Sequence, residues 1–172
     1  LTETADTQSN PEVAIRRATA DDAGEMAAIY NDAVLRSTAT FDLETETPQA
    51  RRAWLRSPAT RAALVAVSGH RVVGWTSLVR WSDRGAYRDT AEASVYVSSS
   101  ARRTGIGLAL GYAQLDAARR LGVHALIAQI CSENAGGLAL AERLGFERVG
   151  LLREVGFKFG RWLDVVVCQR LL

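Results

Sequence analysis

The stretch Ala101-Arg102-Arg103-Thr104-Gly105-Ile106-Gly107-Leu108 constrains this chain more than any other. It lies between an alternating apolar segment, Val95-Tyr96-Val97, and a long helical pattern. Strand, glycine turn and helix in that order build a cup for an anion. Glycines at 105 and 107 let the backbone curl and come close to a ligand with no Cβ in the way. The first amides of a helix have no partner inside it and point outward together. The helix dipole adds partial positive charge behind them, and Arg102 and Arg103 add full charges beside them. The guest such a cup suits is a phosphate or pyrophosphate. A dinucleotide fingerprint is excluded, because its third glycine is replaced by Leu110. A nucleoside-triphosphate loop is excluded too, since no lysine and serine or threonine follow the last glycine. Taken alone, the turn also fits a tight connection that binds nothing.

The surrounding pattern alternates strands and helices. Val13 to Arg17 reads as a first strand. Thr19-Ala20-Asp21-Asp22 fits a capping box, followed by a helix to about Leu35 with Met26, Ile29, Tyr30, Ala33 and Val34 on its apolar face. Thr47-Pro48 opens a second helix, which includes Trp54 and stops before Pro58. Ala62 to Val67 and Arg71 to Val79 form a hairpin around Ser68-Gly69-His70. Ala91 to Val97 is the next strand. The helix after the glycine turn places Ile106, Leu110, Ala113, Ala117 and Leu121 on one face, and Gly122 ends it. Ala125 to Ile130 is a strand and Asn134 to Leu144 a short helix. Two more strands follow, near Glu147 to Val155 and Leu163 to Leu171. Hairpins and crossovers together predict an α+β (mixed α/β) sheet.

At 172 residues, with 48% hydrophobic and 23% charged residues, the chain suits one globular domain over residues 11–172. Residues 1–10 are polar and aperiodic, and read as a disordered tail. A net charge of +2, with the basic residues dispersed, argues against nucleic acid and an acidic membrane as partners. No apolar run approaches a membrane span, and no signal pattern opens the chain. Cys131 and Cys168 are far apart and match no metal spacing, so the expectation is two thiols in a reducing, cytoplasmic compartment and no metal. His70 and His124 have no ligand-type neighbours at metal spacing and read as structural.

On a strand, Glu92, Ser94 and Tyr96 share one face, while Ala91, Ala93, Val95 and Val97 share the other. A carboxylate among such neighbours is desolvated, which raises its pKa toward the range of a general base. A structural carboxylate paired with an arginine is the alternative.

Arg102-x-x-Gly105-x-Gly107 resembles the acyl-CoA-binding motif of the GCN5-related N-acetyltransferase (GNAT) superfamily, and the resemblance extends over residues 13–172. Within it the chain is similar to the phosphinothricin/methionine sulfoximine acetyltransferase group. The carrying segments are Ile29-Tyr30-Asn31-Asp32-Ala33-Val34, Thr40-Phe41, Glu92-Ala93-Ser94-Val95-Tyr96-Val97, Asn134-Ala135, Leu144-Gly145-Phe146 and Val155-Gly156-Phe157-Lys158-Phe159-Gly160-Arg161-Trp162-Leu163-Asp164.

The resemblance implies a central, mostly antiparallel twisted sheet that splits in a V and is flanked by helices. It implies acetyl-CoA as co-substrate, direct transfer to the amine of a small amino-acid-like acceptor (phosphinothricin, methionine sulfoximine or the sulfone), and a homodimer. Its cofactor residues are then Val95, Tyr96 and Val97 for the pantetheine arm, Arg102, Arg103, Thr104, Gly105, Ile106, Gly107 and Leu108 for the pyrophosphate, and Asn134. Glu92 takes the base position, working through water.

Phe41, Trp81 and Tyr87 are candidate pocket walls, and Arg80, Arg84 and Arg88 candidate partners for an acceptor carboxylate. Two departures stand out. Relatives place arginine after the tryptophan, where this chain has Ser82, and they place tyrosine or histidine as general acid where it has Ala141. A different acceptor (a protein N-terminus, a polyamine, an aminoglycoside) and a non-catalytic acyl-CoA sensor are the alternatives these departures leave.

Overall fold

Seven strands form one sheet in the order β1-β2-β3-β4-β5-β7-β6. The computed structural model describes residues 13–172, so the expected tail at residues 1–10 lies outside the described residues. The strands are β1 (Val13–Arg17), β2 (Thr60–Ser68), β3 (Arg71–Arg80), β4 (Thr90–Val97), β5 (Ala125–Cys131), β6 (Glu147–Lys158) and β7 (Arg161–Leu171). The helices are α1 (Ala23–Arg36), α2 (Pro48–Arg56), α3 (Ile106–Arg120) and α4 (Ala135–Arg143). Every neighbouring pair is antiparallel except β4 and β5. The expected α+β architecture is therefore observed.

Local chemistry starts each helix. Asp22 accepts from the Thr19 amide at 2.7 Å, completing the predicted capping box, and takes the Arg16 fork at 2.8 and 2.7 Å. The Arg16 guanidinium, more than any other partner, holds the Asp22 carboxyl below its usual range. Thr47 caps α2 through the Ala50 amide at 3.1 Å, with Pro48 at the first helical position.

Alternation of side chains divides the core in two. On one face Met26 and Ile29 of α1 pack on Val65, Val72 and Trp75. On the other, Leu115, Ala117 and Ala118 of α3 and Ala141 and Leu144 of α4 pack on Leu78, Ala93, Leu126, Ala128 and Val166.

Two sequence expectations shift. The buried face of α3 is Ile106, Leu110, Gly111, Gln114, Leu115, Ala117 and Ala118, whereas Leu121 is exposed. Repeated steps of four run ahead of the 3.6-residue turn, so the expected stripe drifts off the core by its last member. The final hairpin is also longer than expected. β6 continues to Lys158 and β7 begins at Arg161, joined by Phe159 and Gly160 at φ of 51° and 74°. Positive φ at both central residues matches the twist of a two-residue hairpin.

Candidate active site

The parallel seam between β4 and β5 is short. Only Thr90, Ala91 and Glu92 pair with Ala125, Leu126 and Ile127. Beyond Glu92, β4 stays with β3 up to the Gly74–Val97 pair, while β5 follows β7 up to Cys131–Val165. The two strands therefore part, and the edge of β4 from Ala93 onward has no strand partner toward β5. A cavity of about 130 Å³ fills the fork. Glu92 lines it at the apex, Val95 and Tyr96 along one strand, Ile130 along the other, and Asn134 and Ala141 from α4 and its cap.

Glu92 is half-buried, and burial alone lifts its carboxyl above the usual carboxylate range. No arginine or lysine offsets that cost, so the ion-pair reading of Glu92 finds no partner among the described residues. On the same face lies Tyr96, half-buried, whose phenol is pushed up to about 12 by desolvation, so it keeps its proton near neutral pH.

At the open end of the fork, Gly105 sits at φ 89°, a conformation glycine adopts without strain. Its carbonyl takes the Ala109 amide at 3.0 Å, so the amides of Ile106, Gly107 and Leu108 come before the first closed turn of α3. At Gly107 the side chains of Leu140 and Val97 stand 3.5 and 3.6 Å from where a Cβ would be, in ordinary packing contact. Thr104 Oγ1 donates to the Ala101 carbonyl at 2.7 Å and fixes the loop. Arg102 donates from Nε to the Val97 carbonyl at 3.3 Å and lies 3.8 Å from Asp32 of α1, while Arg103 is exposed. The Ile106 side chain is buried with Leu110, leaving its backbone as the part that faces the turn. Asn134 does two jobs: Oδ1 accepts the Gly137 amide at 3.0 Å, capping α4, and the residue lines the cavity. Of the residues expected to hold the donor, Val95, Tyr96 and Asn134 line the cavity, and the turn from Arg102 to Leu108 lies outside its lining.

The cavity is closed on its remaining side by residues other than the acceptor contacts named from the sequence. The segment between α1 and α2 brings Ala39 to the cavity. Thr40 beside it is buried and bonded from three sides. Its hydroxyl meets Tyr30 Oη at 2.8 Å and accepts the Asp42 amide at 3.2 Å, and its carbonyl accepts Lys158 Nζ at 2.7 Å. Phe41 lies against Gly156 of β6 so closely that its ring occupies the space of a Cβ there. Trp81 is half-buried, and Arg84, Tyr87 and Arg88 are exposed. Arg80 bonds Asp83 at 2.8 Å. Neither these five nor Phe41 lines the cavity around Glu92.

Sequence reasoning missed Gln114, Thr40 and Lys158 as site-building residues. Gln114 is buried and donates to the carbonyls of Ser77 and Ser94 at 2.7 and 3.2 Å, tying α3 to the fork. Its signal was a polar side chain on an apolar helical face. Lys158 carried none beyond its place in the Val155–Asp164 block, since its partner lies 118 residues away.

The comparisons with known proteins agree with this geometry. The model of the acetyltransferase (GNAT) domain matches residues 15–167. A methionine sulfoximine/methionine sulfone acetyltransferase of Pseudomonas aeruginosa is 39% identical over 161 residues, covering 90% of this chain and 92% of that protein. A phosphinothricin acetyltransferase of Sinorhizobium meliloti, crystallised with acetyl-CoA, superposes with a TM-score of 0.87 at 34% identity, covering 93% of this chain and 88% of that one. A ribosomal-protein-alanine N-acetyltransferase of Brucella melitensis superposes with a TM-score of 0.89 at 40% identity, covering 92% and 99%. A seven-stranded sheet forked beside a glycine turn, matched along its length by these relatives, makes this chain a member of the GNAT acetyltransferase family.

Proposed function

We propose that the protein transfers the acetyl group of acetyl-CoA to the α-amine of a small amino-acid-like compound, with methionine sulfoximine, methionine sulfone and phosphinothricin as the leading acceptors. One observation carries the reading: an unpaired, desolvated carboxylate, Glu92, stands at the apex of the fork. The residues fit the donor. The amides of Ile106 to Leu108 with Arg102 and Arg103 suit its pyrophosphate, with Thr104 and Gly105 shaping the loop. The free edge of β4 at Val95 to Val97 suits its amide-rich arm, and Asn134 steadies the channel.

The ammonium of the acceptor gives a proton to Glu92 through water. The amine nitrogen then bonds to the acetyl carbon, the C–S bond breaks with its electron pair going to sulfur, and the second proton lost by that nitrogen ends on the sulfur, so CoA leaves as the thiol. A β4 amide near Val95 or Val97 holds the oxyanion. Tyr96 keeps a proton available, so the alanine at 141 does not empty the site of donors. On the acceptor side Ala39, next in the chain to Thr40 and Phe41, lines the fork, whereas the arginines from Arg80 to Arg88 lie outside it.

A second reading, a protein N-terminal alanine as acceptor, is favoured by the printed name of the Brucella neighbour. A thiol-release assay separates the two. Methionine sulfone, methionine sulfoximine and phosphinothricin are expected to exceed an alanine-initiated peptide by at least tenfold in kcat/KM. A peptide preference discards the amino-acid reading. Absence of release with every amine discards the enzyme in favour of the sensor.

The working unit in this reading is a homodimer. β6 is the outer strand of the sheet, and its run from Glu147 to Val155 is exposed on both faces. Val149, Leu151, Leu152, Val155 and Phe157 stand exposed along it, and Trp162 of β7, itself 60% exposed, stacks edge-on against Phe157 at 5.1 Å. A long apolar edge of this kind invites pairing with another strand, and a second copy pairing about a two-fold axis covers it. Leu151→Lys with Trp162→Glu is expected to halve the particle mass in light scattering. A wild-type monomer would end this part of the proposal. Such an assembly belongs to the cytoplasm in our reading, consistent with two free, buried thiols. Among the described residues no helix is long and apolar enough to cross a membrane.

A further inference from the structure

We infer that Gln114 of α3 is a positioning residue for acyl transfer: it holds the Ser94 carbonyl so that the Val95 amide faces the fork and meets the oxyanion. The inference rests on the acyl-transfer reading above and adds the residue that aims its hydrogen-bond donor. Gln114 is 2% exposed, on the helical face that also buries Leu110, Leu115 and Ala118. A side-chain amide buried in such company costs free energy unless it is hydrogen-bonded. Its Nε2 donates to the Ser77 carbonyl at 2.7 Å and to the Ser94 carbonyl at 3.2 Å. Both partners only accept, so the amide nitrogen is the end that faces them.

These bonds settle which way one peptide of β4 faces. Ser77 and Ser94 stand opposite each other in the β3–β4 register. In such a pair the two carbonyls lie either between the strands or on their outer sides. A single nitrogen reaches both oxygens, so both lie between β3 and β4. Thr76 of β3 adds a second donor to the same Ser94 oxygen, its Oγ1 at 2.8 Å. Across a trans peptide the carbonyl of one residue and the amide of the next point in opposite directions. The Val95 N–H therefore points away from β3. On that side the seam with β5 has already ended at Glu92, and Val95 lines the cavity whereas Val97 does not. Val95 is thus the oxyanion donor of the two. With a strand on one side only, β4 lacks the second ladder that would fix this peptide plane, and Gln114 and Thr76 supply the restraint.

As the amine nitrogen bonds to the acetyl carbon, the carbonyl π pair moves onto oxygen. It returns when the C–S bond breaks and that bond's pair goes to sulfur. The Val95 N–H donates a hydrogen bond to the oxygen throughout and gives up no proton. A donor fixed before the charge develops costs no reorganisation at the moment of reaction. A peptide free to tilt forfeits part of that advantage, in the transition state more than in the bound thioester.

The test binds acetyl-CoA, labelled with carbon-13 at its carbonyl, to the full chain without acceptor and reads the C=O stretch by infrared difference spectroscopy. The wild-type band is expected below that of free acetyl-CoA. It is expected to move back toward the free position in Gln114→Met, which keeps the length and loses the donors, and in Thr76→Val, which keeps the shape and loses the hydroxyl. With methionine sulfone as acceptor, kcat is expected to fall about tenfold in Gln114→Met and less in Thr76→Val, short of the roughly 10²- to 10³-fold that removal of an oxyanion donor costs. The Kd of acetyl-CoA is expected to stay within about threefold, since Gln114 acts on the transition state more than on the bound thioester. Thr76→Val acts on the same oxygen and decides the matter should Gln114→Met fail to fold. Variants that melt lower while band and kcat stay at wild-type values show a purely structural side chain and overturn the inference. A wild-type band at the free position overturns it too. If no amine accepts the acetyl group, the transfer reading fails, whereas the band, taken without acceptor, still decides whether Gln114 aims the amide. If acetyl-CoA does not bind the wild type, both fall together.

Discussion

Glu92→Gln is expected to lower kcat by about 10²- to 10³-fold, the range that loss of a general base produces, with affinity for acetyl-CoA changed by less than about threefold. Glutamine keeps the shape and fills the same volume but cannot take the proton. Glu92 sits at the apex of the fork, whereas the glycine turn proposed to hold the donor's pyrophosphate follows the other end of β4, so donor binding and proton removal are separable in this reading. The pH profile adds an independent signature. Burial raises the Glu92 carboxyl, so the acidic limb of kcat/KM in the wild type lies above the usual carboxylate range. That limb is expected to be absent from the variant.

Stability carries the same sign. A carboxyl whose folded pKa is raised contributes stability below its unfolded pKa, and that contribution is lost as pH rises through the folded value. At pH 8 the ionised Glu92 therefore weighs against folding, and the glutamine variant is expected to melt higher than the wild type, with the gap closing toward pH 4. A variant of wild-type turnover, or one that retains the acidic limb, removes Glu92 from the base position.

The parts of the fold that rest on local chemistry were legible in the sequence. The capping box at Thr19 to Asp22, the Thr47-Pro48 start of α2, the turn at Ser68 to His70 and the glycine turn before α3 each depend on residues within a few positions of one another. The cup, the cavity-lining carboxylate and Asn134 were legible for the same reason: one strand, one turn and one helix cap carry them. What the sequence did not reveal rests on long-range packing. The Thr40 carbonyl is fixed by Lys158, and Phe41 by the missing side chain of Gly156. No periodicity links a loop near residue 40 to a strand near residue 157. The arginines from Arg80 to Arg88 illustrate the converse. Their type suits a carboxylate, but composition does not say where a loop points, and this one lines none of the cavity. The extent of the fork was likewise set by pairing: past Glu92, β4 continues with β3 and β5 with β7, while the seam between them ends.

Arg51→Ala is expected to destabilise the protein by about 3 to 5 kcal/mol, the cost of breaking a buried ion pair from one side. For a chain of this size that lowers Tm by roughly 2 to 4 °C per kcal/mol. Arg51 is only 4% exposed, and its guanidinium lies 4.9, 4.4 and 4.6 Å from the ring centres of Tyr30, Trp54 and Trp75. Its Nε donates to Glu46 Oε1 at 2.5 Å. Three aromatic faces stabilise a desolvated cation, and alanine would leave both a void among them and a partly buried Glu46 with no partner. Arg51→Met retains apolar volume and is expected to cost about half as much. Adding Glu46→Gln to Arg51→Ala should recover part of the loss, because the stranded charge is then gone.

The cluster also governs the site. Asn31 holds the backbone of Glu46 through two bonds of 2.9 Å, so Glu46 and Arg51 together pin the end of the segment that carries Ala39, Thr40 and Phe41 over the fork. Loosening that end is expected to raise KM for the acceptor by several-fold in Arg51→Met, more than it changes the Kd of acetyl-CoA. In the proposed reading the donor lies along β4 and α3, which the cluster meets at Tyr96, whose ring lies 4.7 Å from Trp75 and 5.1 Å from Tyr30. Urea unfolding and two-substrate kinetics on the same variants measure both effects. A loss below about 1 kcal/mol in Arg51→Ala would show that the aromatic faces contribute little. Equal changes in acceptor KM and donor Kd would show that the cluster supports the sheet as a whole and not the acceptor wall.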